Sequence, residues 1–272
     1  MDIFAGKIVI ITGGASGIGR ALAQELAARS AYVILADVNS QLLQETSGAL
    51  EKSGYDVKSS VVDVSDFDAV KKLIDDTVYQ HGRIDYLFNN AGIVIGGETR
   101  DCTYDDWRKV IDVNLYGVVN GVVAAYPIMV KQGFGHIINT ASVAGLTPAV
   151  GEISYTASKY GVVGLSNALR VEGADLGVKV SVVCPGFIDT PIFDTSKLVN
   201  FDREKLFQTV PGRLSPEKCA KVILRGVERN KATILVTFLA KFLWISQRIS
   251  PGFVLFLWRT TIRRMREARI ED

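Results

Sequence analysis

Cysteine and histidine are scarce in this 272-residue sequence, and their scarcity narrows the chemistry open to it. Three cysteines, Cys102, Cys184 and Cys219, form an odd and scattered set. They match neither a disulfide framework nor a metal-ligand spacing, and they suit a reducing, cytoplasmic compartment. His81 and His136 lie far apart with no Cys/His cluster around either, so both read as structural and no metal is expected. No repeat, low-complexity tract or linker divides the chain. No apolar stretch reaches the ~20 uninterrupted residues of a membrane-spanning helix. Met1-Asp2-Ile3-Phe4 lacks the basic start and apolar core of a signal peptide. An apolar fraction of 48% excludes disorder. The length suffices for one α/β domain whose core needs no staples.

Alternating strand and helix patterns are present throughout. Strands are expected at Lys7–Ile11, Tyr32–Ala36, Asp56–Val62, Tyr86–Asn89, Gly135–Thr140, Lys179–Val183 and Thr233–Val236. Between them, helices are expected from Arg20, then at Asn39–Ser53, Asp66–Gln80, Tyr104–Lys131, Ser154–Leu176 and Pro216–Arg229. Such alternation predicts a single-domain, Rossmann-type, doubly wound parallel sheet with helices on both faces. The domain is expected over residues 1–237, followed by a carboxyl-terminal extension over 238–272.

Tyr155-Thr156-Ala157-Ser158-Lys159 sets a phenol and an ammonium four residues apart, on one face of a helix. A tyrosine ordinarily titrates near pH ~10. A cation at ~4 Å, with an effective dielectric of ~20, favours the phenolate by ~4 kcal/mol before desolvation takes its share. The pair is therefore expected to serve as a general acid/base near neutrality.

The first strand runs into Thr12-Gly13-Gly14-Ala15-Ser16-Gly17-Ile18-Gly19 and then into a helix. A glycine turn in that place lets backbone amides approach a pyrophosphate at the positive helix end. The spacing is Gly-x-x-x-Gly-x-Gly, not the commoner Gly-x-Gly-x-x-Gly. Asp37 closes the second strand, 18 residues beyond Gly19. Its carboxylate would bond the adenosine ribose hydroxyls and repel a 2′-phosphate, which predicts NAD(H) over NADP(H). Ser16 agrees, since no basic side chain sits in the glycine loop.

Further along stand Asp63-Val64, Asn89-Asn90-Ala91-Gly92, Asn114, Ser142 thirteen residues before Tyr155, and Pro185-Gly186 with Ile188 and Thr190. With these motifs in this order, from about Phe4 to Thr237, the chain resembles the classical short-chain dehydrogenase/reductase family. No catalytic position departs from the family's pattern. The resemblance implies a catalytic set of Asn114, Ser142, Tyr155 and Lys159. It implies cofactor contacts from Gly13, Ser16, Gly17, Ile18, Gly19 and Asp37. Asp63 and Val64 would lie at the adenine, and Asn90, Ala91 and Gly92 beside the cofactor. Tyr155 and Lys159 would meet the nicotinamide ribose, and Pro185, Gly186, Ile188 and Thr190 would close over the nicotinamide. In this reading Tyr155 exchanges the proton of the alcohol while hydride passes to or from the nicotinamide. Lys159 lowers the tyrosine pKa, Ser142 stabilises charge on the substrate oxygen, and Asn114 holds a water linking Lys159 to solvent. A homodimer or homotetramer is implied, with Val118–Val123 and Val162–Leu165 at a subunit contact or in the core.

The resemblance also implies a lid over the substrate, about residues 190–215. Here the lid is rich in large apolar groups: Ile192, Phe193, Leu198, Val199, Phe201, Leu206, Phe207, Val210 and Pro211. Leu146, Pro148, Val150 and Ile153 are expected to form the opposite wall, with Glu152 its only charge, facing solvent. An apolar pocket predicts a hydrophobic secondary alcohol or ketone of steroid, retinoid-like, long-chain or 3-hydroxyacyl type. A 3-oxoacyl thioester reductase is the enzymatic alternative, and a non-catalytic NAD(H)-binding sensor the non-enzymatic one. The extension is apolar through Trp258 and then rich in arginine. Residues 241–272 carry a net +4, against +2 for the whole chain. Three uses fit: peripheral contact with an anionic membrane, cover for the substrate pocket, or packing on a neighbouring subunit. No nucleic-acid motif accompanies the arginines.

Overall fold

Residues 2–207 and 212–270 are described by the computed structural model of the chain. β1 (Ile8–Thr12) is buried along its whole length, and α1 (Gly17–Ala27), β2 (Tyr32–Asp37) and α2 (Ser40–Lys52) follow it. Next come β3 (Val57–Val61), α3 (Phe67–His81), β4 (Tyr86–Asn89) and the two-residue β5 (Ile95–Gly96). α4 (Tyr104–Ile111) leads through a π-helical turn, Asp112–Tyr116, into α5 (Gly117–Gln132) and β6 (Gly135–Thr140). α6 (Ile153–Gly173) and β7 (Val178–Cys184) complete the site-bearing part. The lid region holds α7 (Ile192–Thr195), β8 (Lys197–Leu198) and α8 (Arg203–Phe207). α9 (Pro216–Glu228) and β9 (Thr233–Leu235) finish the sheet, and α10 (Phe238–Ile249) and α11 (Pro251–Arg266) form the tail.

Seven strands form one parallel sheet in the order β3-β2-β1-β4-β6-β7-β9. The order reverses between β1 and β4, which opens a crevice at their carboxyl ends. Alternation along β1 explains the two core layers. Val9 and Ile11 pack with α1, α2 and α9, while Ile8 and Ile10 pack with α3, α5 and α6. Both faces are covered, so the strand reads as a continuous apolar run.

Helix starts fall one residue after those expected at Asn39 and Asp66, because both are extended capping residues. Their side chains accept from Leu42 N, and from Asp68 N and Ala69 N. The helix expected at Tyr104–Lys131 is instead two α-helices joined by the π turn, which carries Asn114. By length and composition this stretch could cross a membrane, but it packs on α3 and the sheet and buries Asn114 and Asn120. The short β5–β8 pair, α7 and α8 have too few residues to show periodicity. Val210 and Pro211, expected in the lid, lie outside the described residues.

Candidate active site

The glycine turn is shaped by contacts that only hydrogen tolerates. Gly13 (φ +63°) and Gly17 (φ +52°) are left-handed. A Cβ on Gly13 would lie 2.8 Å from Ala91 Cα. A Cβ on Gly19 would strike the Gly13 carbonyl oxygen. Ser16 is the N-cap of α1 but makes no side-chain capping bond, and no acidic residue occupies the first turn. The turn thus offers main-chain N–H groups, a spare hydroxyl and a positive helix end, which fit the pyrophosphate of a dinucleotide.

Asp37 bridges this loop to its own strand end. Its carboxylate accepts from Ala15 N (3.1 Å) and Asn39 N (3.0 Å). Asn90 fastens the other side: its Nδ2 donates to Thr12 O (3.1 Å), while Asn90 N and Ala91 N donate to Thr12 Oγ1 at 3.0 and 3.1 Å. Asn89 continues the tie to Asn139 at 2.9 Å and from there to Ser166 at 3.0 Å. After β7, Ile188 is buried, and Thr190 Cγ2 sits 3.0 Å from where a Cβ on Gly17 would stand. The segment from Pro185 and Gly186 to Thr190 therefore closes onto the start of α1 and Ile18. Asp63 stands apart: it is exposed and accepts from Ser65 N and Oγ at 2.9 and 2.7 Å. Val64 is buried beneath Gly117 of α5.

Four elements bring Asn114, Ser142, Tyr155 and Lys159 to the end of β6. Ser142 caps a short 3-10 turn, accepting from Ala144 N (3.1 Å), and its hydroxyl is close enough to Tyr155 to favour the phenolate. Lys159, 2% exposed, donates to Thr140 O (2.9 Å), with Nζ 5.5 Å from the centre of the Tyr155 ring. Asn114 is fully buried; its Oδ1 accepts from Ile93 N (2.8 Å), and its Nδ2 donates to Ile93 O (2.9 Å) and Ser158 Oγ (3.3 Å). Gly92 lies where Asn114 and Lys159 converge: a Cβ there would be 3.2 Å from Asn114 Oδ1 and 3.4 Å from Lys159 Nζ.

Desolvation governs the charges of this cluster. Burial drives the Tyr155 phenol well above its ordinary range, the Ser142 hydroxyl opposes that rise, and ionised Glu152 adds to it. Burial lowers Lys159 to about 8. The fall in the phenol pKa expected from Lys159 is opposed by burial, which disfavours the charged form of both groups. Glu152 keeps part of its surface in solvent, but desolvation pushes its carboxyl up to about 7.

Contacts that the sequence did not mark join the tail to the body near these residues. Trp258 Nε1 donates to Thr147 Oγ1 (3.2 Å), in the wall between Ser142 and Tyr155. Arg266 grips Glu98 with two bonds of 3.0 and 3.1 Å, and Arg269 Nη1 reaches Asp101 at 2.5 Å. Phe201 of the lid pairs with Arg269 in an antiparallel bridge. α11 and the turn after it therefore run from Thr147 past Glu98 and Asp101 to Phe201. Beside the start of α6, Ile95, Cys102, Trp107 and Ile153 line a narrow cleft.

The sequence model of the short chain dehydrogenase family matches residues 7–198. A 3-oxoacyl-[acyl-carrier-protein] reductase of Thermotoga maritima is 39% identical over 80% of this chain and 89% of its own. Levodione reductase of Leifsonia aquatica is 40% identical over 71% of this chain and 73% of its own. The crystal structure of a short chain dehydrogenase/reductase from Burkholderia phymatum in complex with NAD superposes with a TM-score of 0.86. It is 31% identical, over 93% of this chain and 96% of that one.

Proposed function

This chain belongs to the short chain dehydrogenase family of oxidoreductases, and on that premise we propose that it interconverts a hydrophobic secondary alcohol and its ketone with NAD(H). The observation that carries the reading is the convergence of Asn114, Ser142, Tyr155 and buried Lys159 at the carboxyl end of the sheet next to the glycine turn. Bound nicotinamide supplies the hydride donor or acceptor. Ser142 holds the substrate oxygen, and Tyr155 gives that oxygen a proton in reduction or takes one in oxidation. Lys159, fixed by Thr140 O, lies between Tyr155 and Asn114 and relays charge and protons inward.

The cofactor-binding set is proposed as Gly13, Ser16, Gly17, Ile18, Gly19, Asp37, Asp63, Val64, Asn90, Ala91, Gly92, Tyr155, Lys159, Pro185, Gly186, Ile188 and Thr190. Asp37 supports NAD over NADP, because its carboxylate sits at the glycine loop, where a 2′-phosphate would meet negative charge. Asp37→Asn keeps much of the shape and should reduce discrimination against NADP by roughly tenfold or more, since one repelling charge at an effective dielectric of ~20 exceeds ~1.4 kcal/mol. Unchanged preference would count against this role.

An apolar substrate is supported by Ile192, Phe193 and Leu198 after Thr190, by Leu146 and Pro148 after Ser142, and by Trp258, which bonds Thr147 between them. We assign residues 1–237 to the catalytic domain, with its lid at about 190–215, and 238–272 to an extension that roofs the substrate side. The three free cysteines support a reducing, cytoplasmic setting. A homodimer or homotetramer through α5 and α6 is supported by exposed Tyr116, Val123, Tyr160 and Val171. Val118, Val122 and Val162, which the sequence left open to a contact, are in the core of the chain itself. The decisive experiment is NAD-dependent turnover over secondary alcohols of rising size, with Tyr155→Phe as control. Rising kcat/KM with size, and its collapse in the variant, is the expected result; best activity on small polar alcohols would overturn the substrate class.

A further inference from the structure

One face of the tail hairpin is apolar and turned outward. On α10, Phe238, Phe242, Ile245 and Ile249 repeat at helical spacing and are 83%, 47%, 50% and 79% exposed. Phe253 of α11 joins them along a shallow groove, and Phe256 extends the surface at 62% exposure. These groups cannot turn inward. Ala240 and Val254 bury the opposite sides of the two helices, and the Trp258–Thr147 and Arg266–Glu98 bonds hold the hairpin against the body.

Charge surrounds this face with one sign. Between residues 238 and 270 the only acidic residue is Glu267, against seven Lys and Arg. Arg266 and Arg269 are engaged by Glu98 and Asp101. Among the described residues Lys241, Arg248, Arg259, Arg263 and Arg264 make no ion pair, and all five are exposed. Lys241 and Arg248 flank the α10 stripe on one side, with Arg248 stacked 5.1 Å over Trp244. Arg259 and Arg263 continue the outward face of α11 one and two turns beyond Phe256.

We propose that the α10–α11 hairpin docks this protein on the surface of an anionic lipid bilayer. The apolar stripe would enter the acyl boundary while the five cations meet lipid phosphates and acidic headgroups. A second copy of the chain is the other natural cover for an apolar face. In a two-fold contact, however, each copy's cations would face the same cations of its partner, and residues 241–272 keep a net +4 with Glu267, Glu271 and Asp272 counted. A bilayer supplies both the apolar phase and the opposite charge. The docking needs no assumption about the reaction, so it stands or falls apart from the proposed function.

Flotation of the full chain tests this, using vesicles of equal parts phosphatidylcholine and phosphatidylglycerol beside vesicles of phosphatidylcholine alone. The expected result is recovery with the anionic vesicles at low salt, and roughly tenfold less with neutral vesicles or at high salt. Two double variants sharpen it: Phe242→Glu with Phe253→Glu, and Arg259→Glu with Arg263→Glu. Each should lose vesicle binding at least tenfold while keeping the turnover and thermal midpoint of the parent, because all four side chains are exposed. Protein that stays in the soluble fraction with anionic vesicles overturns the proposal. So does parent-like flotation of the phenylalanine variant. A halving of particle mass in that variant by ultracentrifugation would assign the face to a second copy instead. The arginine variant and the salt dependence keep the question decidable if the phenylalanine variant fails to fold.

Discussion

The glycine turn after β1 and the hairpin at the carboxyl end flank the same crevice but are held by different means. In the turn, backbone meets backbone: Gly19 lies against the Gly13 carbonyl and Gly13 against Ala91. A side chain is excluded by steric contact with backbone, six residues back for Gly19 and at the Asn90-Ala91-Gly92 motif for Gly13. In the tail, side chains reach across the fold: Arg266 to Glu98 and Arg269 to Asp101, each over 168 residues of chain. The contrast teaches that the cofactor half is specified by local rules that leave a motif, and the substrate half by pairings that leave none.

The largest expected effect lies where the two halves meet. Tyr155→Phe should lower turnover by about 100-fold to 10,000-fold, the usual worth of a positioned acid/base. NADH binding, followed by fluorescence, should stay near the parent value. A rate above a tenth of the parent's would remove Tyr155 from its assigned role. Next comes a test of the turn alone. Gly19→Ala forces a Cβ into the Gly13 carbonyl, so cofactor affinity should fall at least tenfold, with a loss of stability of roughly 1–3 kcal/mol from overpacking. Gly252→Ala in the tail is its counterpart. A Cβ there meets nothing within 4 Å, and the position is helical, so stability should hold or rise by about 0.4–1 kcal/mol in thermal unfolding.

Releasing the tail is expected to act more gently. Glu98→Gln removes the carboxylate that grips Arg266, and Trp258→Phe removes the donor to Thr147. Together they should raise KM for bulky alcohols several-fold while leaving the Kd for NADH unchanged. Equal loss of both would mean that the tail supports the whole site, not its substrate side. The pH profile gives a finer test. Burial keeps Tyr155 protonated at neutral pH, which suits proton donation to a ketone. Alcohol oxidation needs the phenolate, so its rate should climb with pH on the alkaline side while ketone reduction declines. Above about 7 Glu152 is ionised and disfavours the phenolate. Glu152→Gln removes that charge, so the alkaline limb of oxidation should move to lower pH. A limb that stays in place would separate Glu152 from Tyr155.

Much of this architecture was legible in the amino-acid sequence. Tyr86–Asn89 and Gly135–Thr140 fall at the boundaries that their apolar, β-branched patterns indicated. Helices expected from Asn39 and Asp66 begin one residue later, since those two residues cap them. The order of strands and helices implied the parallel sheet, because crossovers have one preferred hand. The site was legible as a set of positions. Its electrostatics were not: a spacing of four residues places Tyr155 and Lys159 on one helix face but says nothing about how much water either keeps. Here both are desolvated, and burial opposes the fall in the phenol pKa expected from Lys159.

What the sequence determined by itself was whatever depends on neighbours along the chain: strand and helix periodicity, the left-handed glycines, the caps, and the order of motifs that marks the family. What only the tertiary structure decided was whatever depends on distant partners. The π turn that carries Asn114, the desolvation of Glu152 and the seating of residues 251–269 on Glu98, Asp101 and Thr147 belong to that class. So does the outward aim of the apolar stripe on α10. The physical reason is range. Backbone sterics and hydrogen bonding act over a few residues, whereas desolvation and ion pairing depend on what the folded chain brings alongside.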